Sequence, residues 1–207
     1  MATRLLILLV SLSVQVDTIV GTLDLTQPPL ADRGSRERNE GSGWGEMSSN
    51  ALPPPIAVDL NVIDRDRVYA LRDEFVFEIR IKNTGQDTII FPWLPVRAEP
   101  SSGNVTSTEA RIGLYVSAKD ATPRVTTGGF RLYGNVDDER SLKRINPNES
   151  VIIRAAGRWQ PSGFAGKYIF EAPSDLQTYA NVRLRSGGKW SAIVSSSPLP
   201  IRLRTPK

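Results

Sequence analysis

The feature that most constrains this fold is a strict two-residue alternation of apolar and polar side chains. Between Phe75 and Lys82, a large apolar residue stands at every second position, and charged residues fill most of the positions between them. This alternation is typical of strands that bury one face and expose the other, as antiparallel sheets do. Comparable short segments recur at Ile56–Val62, Thr88–Trp93, Arg111–Val116, Gly129–Tyr133, Val151–Ala155, Lys167–Glu171, Val182–Arg185, Trp190–Val194 and Leu199–Leu203. No stretch of ten or more residues follows a helical period, so the sequence predicts an all-β fold.

Turn signals separate these segments at short intervals. Gly, Asn or Pro recur at 83–86, 146–149 and 186–188, and these residues favour tight turns. The pairs Gly128–Gly129 and Gly187–Gly188 are interpreted as hairpin turns, because neither precedes the Lys-Ser/Thr of a phosphate-binding loop. Pro92 indicates an edge strand or a bulge. The prediction is an antiparallel immunoglobulin-like sandwich of about eight to ten short strands over residues 56–207.

The N-terminal segment has the pattern of an export signal. Met1–Arg4 is short and positively charged, and Leu5–Val16 is an apolar run of twelve residues. A helix across a bilayer needs about 20 apolar residues, so this run suits a secretory signal peptide better than a membrane span. We expect residues 1–20 to be a signal peptide and the protein to be secreted or periplasmic. Ser11 and Ser13 have the small-residue spacing of a cleavage site, but they leave a short apolar region.

Residues 21–55 have the composition of a linker. They are rich in Gly, Ser, Pro, Asn and charged residues and lack a sustained apolar period, so they cannot bury enough surface to offset their ordering entropy. Pro53–Pro55 ends the segment as a stiff spacer. The sequence therefore predicts a disordered linker before the folded domain.

The chain contains no cysteine and no histidine. Disulfides, thiolate nucleophiles, Ser-His-Asp triads and histidine-based zinc sites are therefore excluded. Asp64–Arg67 and Asp137–Glu139 are the acidic clusters, and they lack the spacing of a calcium loop. We interpret both as solvated turns and expect no metal, no cofactor and no catalytic residue. A small secreted hydrolase that works through two carboxylates alone remains the enzymatic alternative.

The order of the motifs resembles a known fold. Asn83-Thr84-Gly85 ends one strand, Pro147-Asn148-Glu149 forms a turn, and Gly166–Phe170, Trp190–Val194 and Pro198–Ile201 follow. This order resembles the immunoglobulin-like sandwich domains of secreted bacterial proteins and, more distantly, the bacterial intracellular proteinase inhibitor family. Asn148 replaces the glycine of that family's turn, and asparagine tolerates the left-handed conformation next best.

The resemblance carries implications for structure rather than for binding. It implies that Tyr168 packs inward and hydrogen-bonds the backbone at a corner, as a tyrosine does in immunoglobulin-like domains. It carries over no binding residue. An inhibitor-like module would need a protruding loop, and the connection Pro95–Glu109 is the candidate for one.

Charge is distributed unevenly along the folded region. Residues 56–139 contain 10 Lys/Arg against 13 Asp/Glu, whereas residues 140–207 contain 12 against 3. Alternation with apolar neighbours predicts an outward-facing basic stripe that would attract a polyanion; its members are Arg183, Arg185, Arg202 and Arg204. The competing interpretation is that outward acids such as Glu78 lie opposite the stripe and cancel its field.

The tryptophans supply the remaining candidates. We expect Trp93 and Trp190 to fill the core, since large aromatic residues on strands usually do; exposed together, they would instead form a sugar-stacking platform. Arg158 and Trp159 begin a loop-like segment, and an aromatic residue beside an arginine is a frequent contact composition.

These observations predict an exported, non-catalytic module that binds a protein or an anionic cell-surface polymer. Its predicted partner-binding residues are Arg158, Trp159 and the four arginines of the stripe. We expect no nucleic-acid partner, because Lys-rich runs and interleaved aromatic residues are missing. We also expect no membrane span and a monomeric state. The alternatives are the carboxylate hydrolase and the inhibitor-like module.

Overall fold

The computed structural model describes residues 17–26, 51–70, 73–95, 107–118, 121–158, 174–187 and 189–204. These residues contain strands and one short 3₁₀-helix at Glu139–Ser141, so the all-β prediction is confirmed. The strands are β1 (Thr18–Leu25), β2 (Ile56–Val62), β3 (Val68–Ala70), β4 (Glu74–Asn83), β5 (Ile89–Pro92), β6 (Leu94–Pro95), β7 (Ser107–Ala118), β8 (Ala121–Asn135), β9 (Leu142–Ile145), β10 (Glu149–Arg158), β11 (Ser174–Ser186), β12 (Lys189–Trp190), β13 (Val194–Ser195) and β14 (Leu199–Arg204). Within these ranges, no helix has the length and hydropathy needed to cross a membrane.

The strands form two main sheets and a two-stranded ribbon. The small sheet has the order β1-β10-β4-β2, and the large sheet has the order β3-β14-β11-β7-β8-β6, with β12 and β13 also paired to β11. β5 pairs with β9 in the ribbon. All of these pairings are antiparallel except β1 with β10 and β3 with β14.

The inward faces of both main sheets meet in one hydrophobic cluster. In β4, Phe75, Phe77, Ile79 and Ile81 are each 5% exposed or less, whereas most residues between them are half-buried. β10 and β2 place buried Val and Ile residues opposite them, and the large sheet adds apolar residues from β7, β8, β11 and β14. Since each fully buried side chain of this kind contributes about 1.5–3 kcal/mol, the alternation in the sequence positions the main stabilising surface of the fold.

The N-terminal strand is a departure from the sequence prediction. Residues 18–25 pair with β10 along seven register positions, so the expected boundary between signal peptide and linker at residues 20 and 21 falls inside β1. The linker prediction is wrong for residues 21–25, because Val20, Leu23 and Leu25 pack against the core. Ala51–Pro55 has irregular backbone. The rest of the predicted linker and residues 1–16 lie outside the described ranges.

Two of the predicted turns have the expected backbone, and one does not. Asn148 has a φ of 66°, which confirms that asparagine replaces glycine in a left-handed position. Gly187 has a φ of 55° in the turn between β11 and β12. The prediction for Gly128–Gly129 is wrong, because Gly129 lies within β8 and pairs with Gly113 on β7. The β7–β8 pairing continues to Ala118 and Ala121, so the strands are longer than their apolar cores suggest.

A buried tyrosine anchors the turn between β2 and β3. Tyr69 is 1% exposed, and its hydroxyl donates to the carbonyl oxygen of Ile63 at 2.8 Å and lies 3.1 Å from that of Asp64. Burial raises the pKa of Tyr69, since the phenolate is disfavoured away from water. Tyr69 thus makes the kind of contact that we expected of Tyr168, which lies outside the described residues. As predicted, residues 64–67 form an exposed turn.

Candidate functional site

Register brings three arginines of the large sheet into one row. Arg183 on β11 lies opposite Arg111 on β7, and Arg111 lies opposite Arg131 on β8. Residues that face each other across adjacent strands project to the same side of a sheet, and neighbouring strands lie about 4.8 Å apart. The apolar neighbours of these residues point into the core, so the row lies on the outward face.

One carboxylate and one indole ring organise this row. We use the name arginine cluster for Glu109, Arg111, Arg131, Arg183, Arg185 and Trp190. Glu109 on β7 faces Arg185 on β11, one row further along the sheet. Trp190 on β12 faces Arg185 from the other side of β11.

Glu109 is the electrostatic centre of the arginine cluster. Its Oε1 accepts a hydrogen bond from Nε of Arg111 at 3.2 Å and lies 3.8 Å from Nε of Arg131. Its Oε2 lies 3.9 Å from Nη1 of Arg185. The Glu109 side chain is 11% exposed, whereas those of Arg111, Arg131 and Arg185 are 24%, 30% and 41% exposed. The carboxylate is therefore more buried than these three guanidinium groups, which form the outer layer of the cluster.

Trp190 fills the cluster rather than the hydrophobic core. The guanidinium carbons of Arg111, Arg183 and Arg185 lie 4.5, 5.3 and 5.8 Å from its ring centroid. These are cation–π distances, which attract the guanidinium groups to the indole face. The core prediction is thus wrong for Trp190, while Trp93 does pack against the core, beside Phe91. The two rings lie in different surroundings, with Trp190 beside arginines and Trp93 beside Phe91 and Lys143.

Arg183 differs from the other arginines because it is buried. It is 5% exposed, and its Nε donates to the carbonyl oxygen of Ser191 at 2.8 Å. The hydroxyl of Ser191 accepts from the backbone N–H of Leu184 at 3.1 Å. Arg183 therefore holds the segment that follows β12 against β11 and is not the solvated residue that alternation alone predicts.

The predicted basic stripe is divided between two ends of one face. Arg202 on β14 lies opposite Asp175 on β11, eight residues before Arg183, which corresponds to roughly 26 Å along an extended strand. Arg202 and Arg204 are exposed and lie outside the cluster. The expected opposing acid, Glu78, is on β4 of the small sheet, where its Oε1 lies 3.7 Å from Nε of Arg154. Glu109, and not Glu78, is thus an acid that lies beside these arginines.

Several other predicted elements lie wholly or partly outside the described residues. These are the side chain of Arg158, all of Trp159, and residues 96–106 of the proposed inhibitory loop. The end of that loop, from Ser107 to Glu109, is the start of β7. At the second acidic cluster, Asp138 caps the 3₁₀-helix and accepts from the backbone N–H of Arg140 at 3.1 Å. Across the described ranges, no group of three or more Asp or Glu side chains is placed to hold a metal ion.

No family model matches the chain, and no curated protein matches it. Among solved structures, the chain is similar to the sporulation control protein Spo0M from Bacillus subtilis, at 14% identity and a TM-score of 0.38, covering 72% of this chain and 49% of that one. It is also similar to the alkylpurine DNA glycosylase AlkC from Pseudomonas fluorescens, bound to DNA containing an abasic site analogue, at 10% identity and a TM-score of 0.32, covering 73% and 31%.

A third similarity is to AvmM, which catalyses macrocyclisation in alchivemycin A biosynthesis, at 10% identity and a TM-score of 0.33, covering 75% of this chain and 92% of that one. The chain spans about half the length of Spo0M and about a third of AlkC. At these TM-scores the similarities carry no argument about function, so the site has to be interpreted from its own geometry.

Proposed function

We propose that this chain is an exported, non-catalytic module with an immunoglobulin-like sandwich fold, and that it binds an anionic partner through the arginine cluster. The partner is a cell-surface polymer or a protein segment that carries carboxylate, sulfate or phosphate groups. The observation that carries this proposal is the set of partly exposed guanidinium groups of Arg111, Arg131 and Arg185, which three adjacent strands bring together around Glu109. The sandwich is supported by the two sheets that share one core and by the left-handed turn at Asn148.

The geometry of the arginine cluster favours recognition of planar or tetrahedral anions. A guanidinium group presents a rigid fork of N–H donors that matches two oxygens of a carboxylate, sulfate or phosphate. In this cluster the forks are held by strands, by Glu109 and by the ring of Trp190, so less side-chain entropy is lost when an anion binds. The partly exposed Arg131 and Arg185 are the members most accessible to a partner.

The experiment compares two pairs of arginines on the same sheet face. Arg131→Gln with Arg185→Gln removes two charges from the cluster, and Arg202→Gln with Arg204→Gln removes two charges from the distant end. The first pair is expected to lower the salt concentration that elutes the domain from immobilised heparin, while the control pair keeps most of the retention. Binding that depends on guanidinium contacts with an anion also weakens steeply with added salt.

Two results would contradict the proposal. Equal losses in both double variants would mean that the general field of the basic C-terminal region attracts the polymer. Unchanged retention in both would mean that neither set of arginines binds it. Urea denaturation of each variant shows whether the fold is retained, so that lost binding is not confused with unfolding.

A further inference from the structure

The outward face of the large sheet carries two stacked tyrosines as well as the arginine cluster. Tyr115 on β7 lies opposite Tyr179 on β11, and their rings are stacked, with centroids 5.7 Å apart and an interplanar angle of 19°. Tyr115 follows Arg111 by four residues, and Tyr179 precedes Arg183 by four residues. Since side chains alternate along a strand, the tyrosines share the face of the arginines and lie roughly 13 Å from them along the strands. We use the name tyrosine pair for Tyr115 and Tyr179.

The tyrosine pair is accessible from solvent and is held by the strands beneath it. Both tyrosines are half-buried. The buried Thr178 donates its hydroxyl to the carbonyl oxygen of Tyr115 at 2.9 Å, which joins β11 to β7 beside the two rings. Because the rings are already placed by these strands, a ligand that contacts them has little side-chain motion to arrest.

A polar side chain lies between the arginines and the tyrosines. The row between them contains Asn181 on β11, Gly113 on β7 and Gly129 on β8. Neither glycine carries a side chain, so Asn181 is the side chain that these three strands contribute to the row. Its Oδ1 accepts a hydrogen bond from the hydroxyl of Ser195 at 2.7 Å, which leaves the amide Nδ2 as the side that can donate to a ligand oxygen.

We propose that the anionic partner is an acidic polysaccharide built from uronate units, and that it binds across the arginine cluster, Asn181 and the tyrosine pair. This inference rests on the proposed function. A uronate unit carries a carboxylate, several hydroxyl groups and an apolar ring face of C–H bonds. Guanidinium groups match the carboxylate, an amide donor matches a hydroxyl, and an aromatic ring packs against the apolar face. A polyphosphate chain offers only the charge, so it leaves the tyrosine pair without a contact of this kind.

The first test compares two polycarboxylates on the unaltered protein. Polygalacturonate carries a carboxylate on every sugar unit, whereas polyglutamate carries a carboxylate on every residue and has no sugar ring. At matched chain length and low salt, the protein is expected to bind polygalacturonate about fivefold more tightly, because only this polymer packs ring faces against the tyrosines. Equal affinities, or tighter binding of polyglutamate, would overturn the inference in favour of a protein partner and leave the arginine cluster as an anion site.

A matched pair of double variants assigns the difference to the aromatic rings. Tyr115→Leu with Tyr179→Leu keeps apolar side chains on both strands but removes the rings, and it is expected to weaken binding of polygalacturonate by about fivefold without changing that of polyglutamate. Tyr115→Phe with Tyr179→Phe keeps the rings and should keep the affinity. Unchanged binding of polygalacturonate by the leucine variant, or an equal loss for both polymers, would contradict the inference. Urea denaturation shows whether each variant remains folded.

Failure of the proposed function itself would give a different pattern. Arg131→Gln with Arg185→Gln is expected to weaken the binding of both polymers, since both carry carboxylates. If this variant keeps the wild-type affinity for both, the arginine cluster binds neither polymer, and the proposed function and the polysaccharide inference fail together.

Discussion

A single carboxylate organises each of the two ionic clusters, but the carboxylates face different numbers of cations. In the first, the Asp17 clamp, Asp17 lies beside Arg80 and Lys82 and accepts a hydrogen bond from the hydroxyl of Ser150. In the arginine cluster, Glu109 faces Arg111, Arg131 and Arg185. The first carboxylate attaches an edge strand to its sheet, whereas the second holds together basic side chains that would otherwise repel one another.

The difference teaches that burial, and not only charge, separates a structural ion pair from a binding surface. The three charged side chains of the Asp17 clamp, Asp17, Arg80 and Lys82, are each about a quarter to a third exposed. In the arginine cluster, exposure rises from the carboxylate outward to Arg185. A graded cluster of this kind fixes its inner groups and leaves the outer ones accessible.

The largest expected effect comes from neutralising the inner carboxylate. Glu109→Gln removes the charge of a carboxylate that lies near Arg111, Arg131 and Arg185, whose side chains are 24%, 30% and 41% exposed. Because these partners are partly solvated, we expect a loss of about 2 kcal/mol, which is less than the cost of breaking a fully buried pair. Urea denaturation measures the change in the free energy of unfolding. The control is Glu78→Gln, whose partner Arg154 is more exposed. If both variants lose the same stability, the cluster is no more than an ordinary surface pairing.

The uncharged hydrogen bond of Tyr69 provides a reference for the two ionic clusters. Tyr69→Phe removes the hydroxyl that binds the carbonyl oxygen of Ile63 and is expected to lower the free energy of unfolding by about 1.5 kcal/mol. Because the pKa of Tyr69 is raised in the folded protein, the unfolded chain loses its proton first, and stability should fall as the pH rises above the ordinary tyrosine value. Denaturation curves at neutral and alkaline pH should show this fall in the wild type but less of it in Tyr69→Phe.

A smaller and more local effect is expected at the Asp17 clamp. Asp17→Asn weakens a partly exposed ion pair, and such pairs contribute about 0.5–1 kcal/mol. Hydrogen exchange should become faster in β1 and remain unchanged in β11. Faster exchange throughout both sheets would show that β1 opens together with the whole domain.

The smallest expected effect is a difference in how added salt changes the destabilisation caused by Asp17→Asn and by Glu109→Gln. Added NaCl screens the more exposed Asp17 clamp more effectively than Glu109. The destabilisation by Asp17→Asn should therefore shrink by roughly 0.3 kcal/mol between low and high salt, while that of Glu109→Gln should change less. The reverse order in paired urea titrations would contradict the assignment of Glu109 as the more buried centre.

The sequence predicted the features of the fold that depend only on residues close together in the chain. The alternation in β4 predicted its buried face residue by residue, and asparagine chemistry predicted the left-handed backbone at Asn148. Gly129 was misinterpreted because a glycine pair in a long strand resembles a turn when the strand partner is unknown. β1 was missed because its few apolar residues stand next to a composition typical of linkers.

The candidate site was less accessible to sequence reasoning because it depends on register. Alternation correctly predicts that Arg183 and Arg185 face away from the core, but it does not indicate which residues of other strands lie beside them. Long stretches of chain separate these two arginines from Glu109, Arg111 and Arg131. The registers of the β7–β8 and β7–β11 pairs bring the five residues together. The burial of Arg183 depends on the segment after β12, which begins with Ser191.

The parallel pairing of β1 with β10 also has a kinetic consequence. The first described strand, β1, can pair with β10 only after β2 to β9 have been synthesised, and β3 can pair only after β14 has been made. Contacts between such distant segments carry a large loop-closure entropy and slow the folding of β-rich domains. Both sheets therefore acquire an edge late, and the domain remains incompletely folded until β10 and β14 have been synthesised.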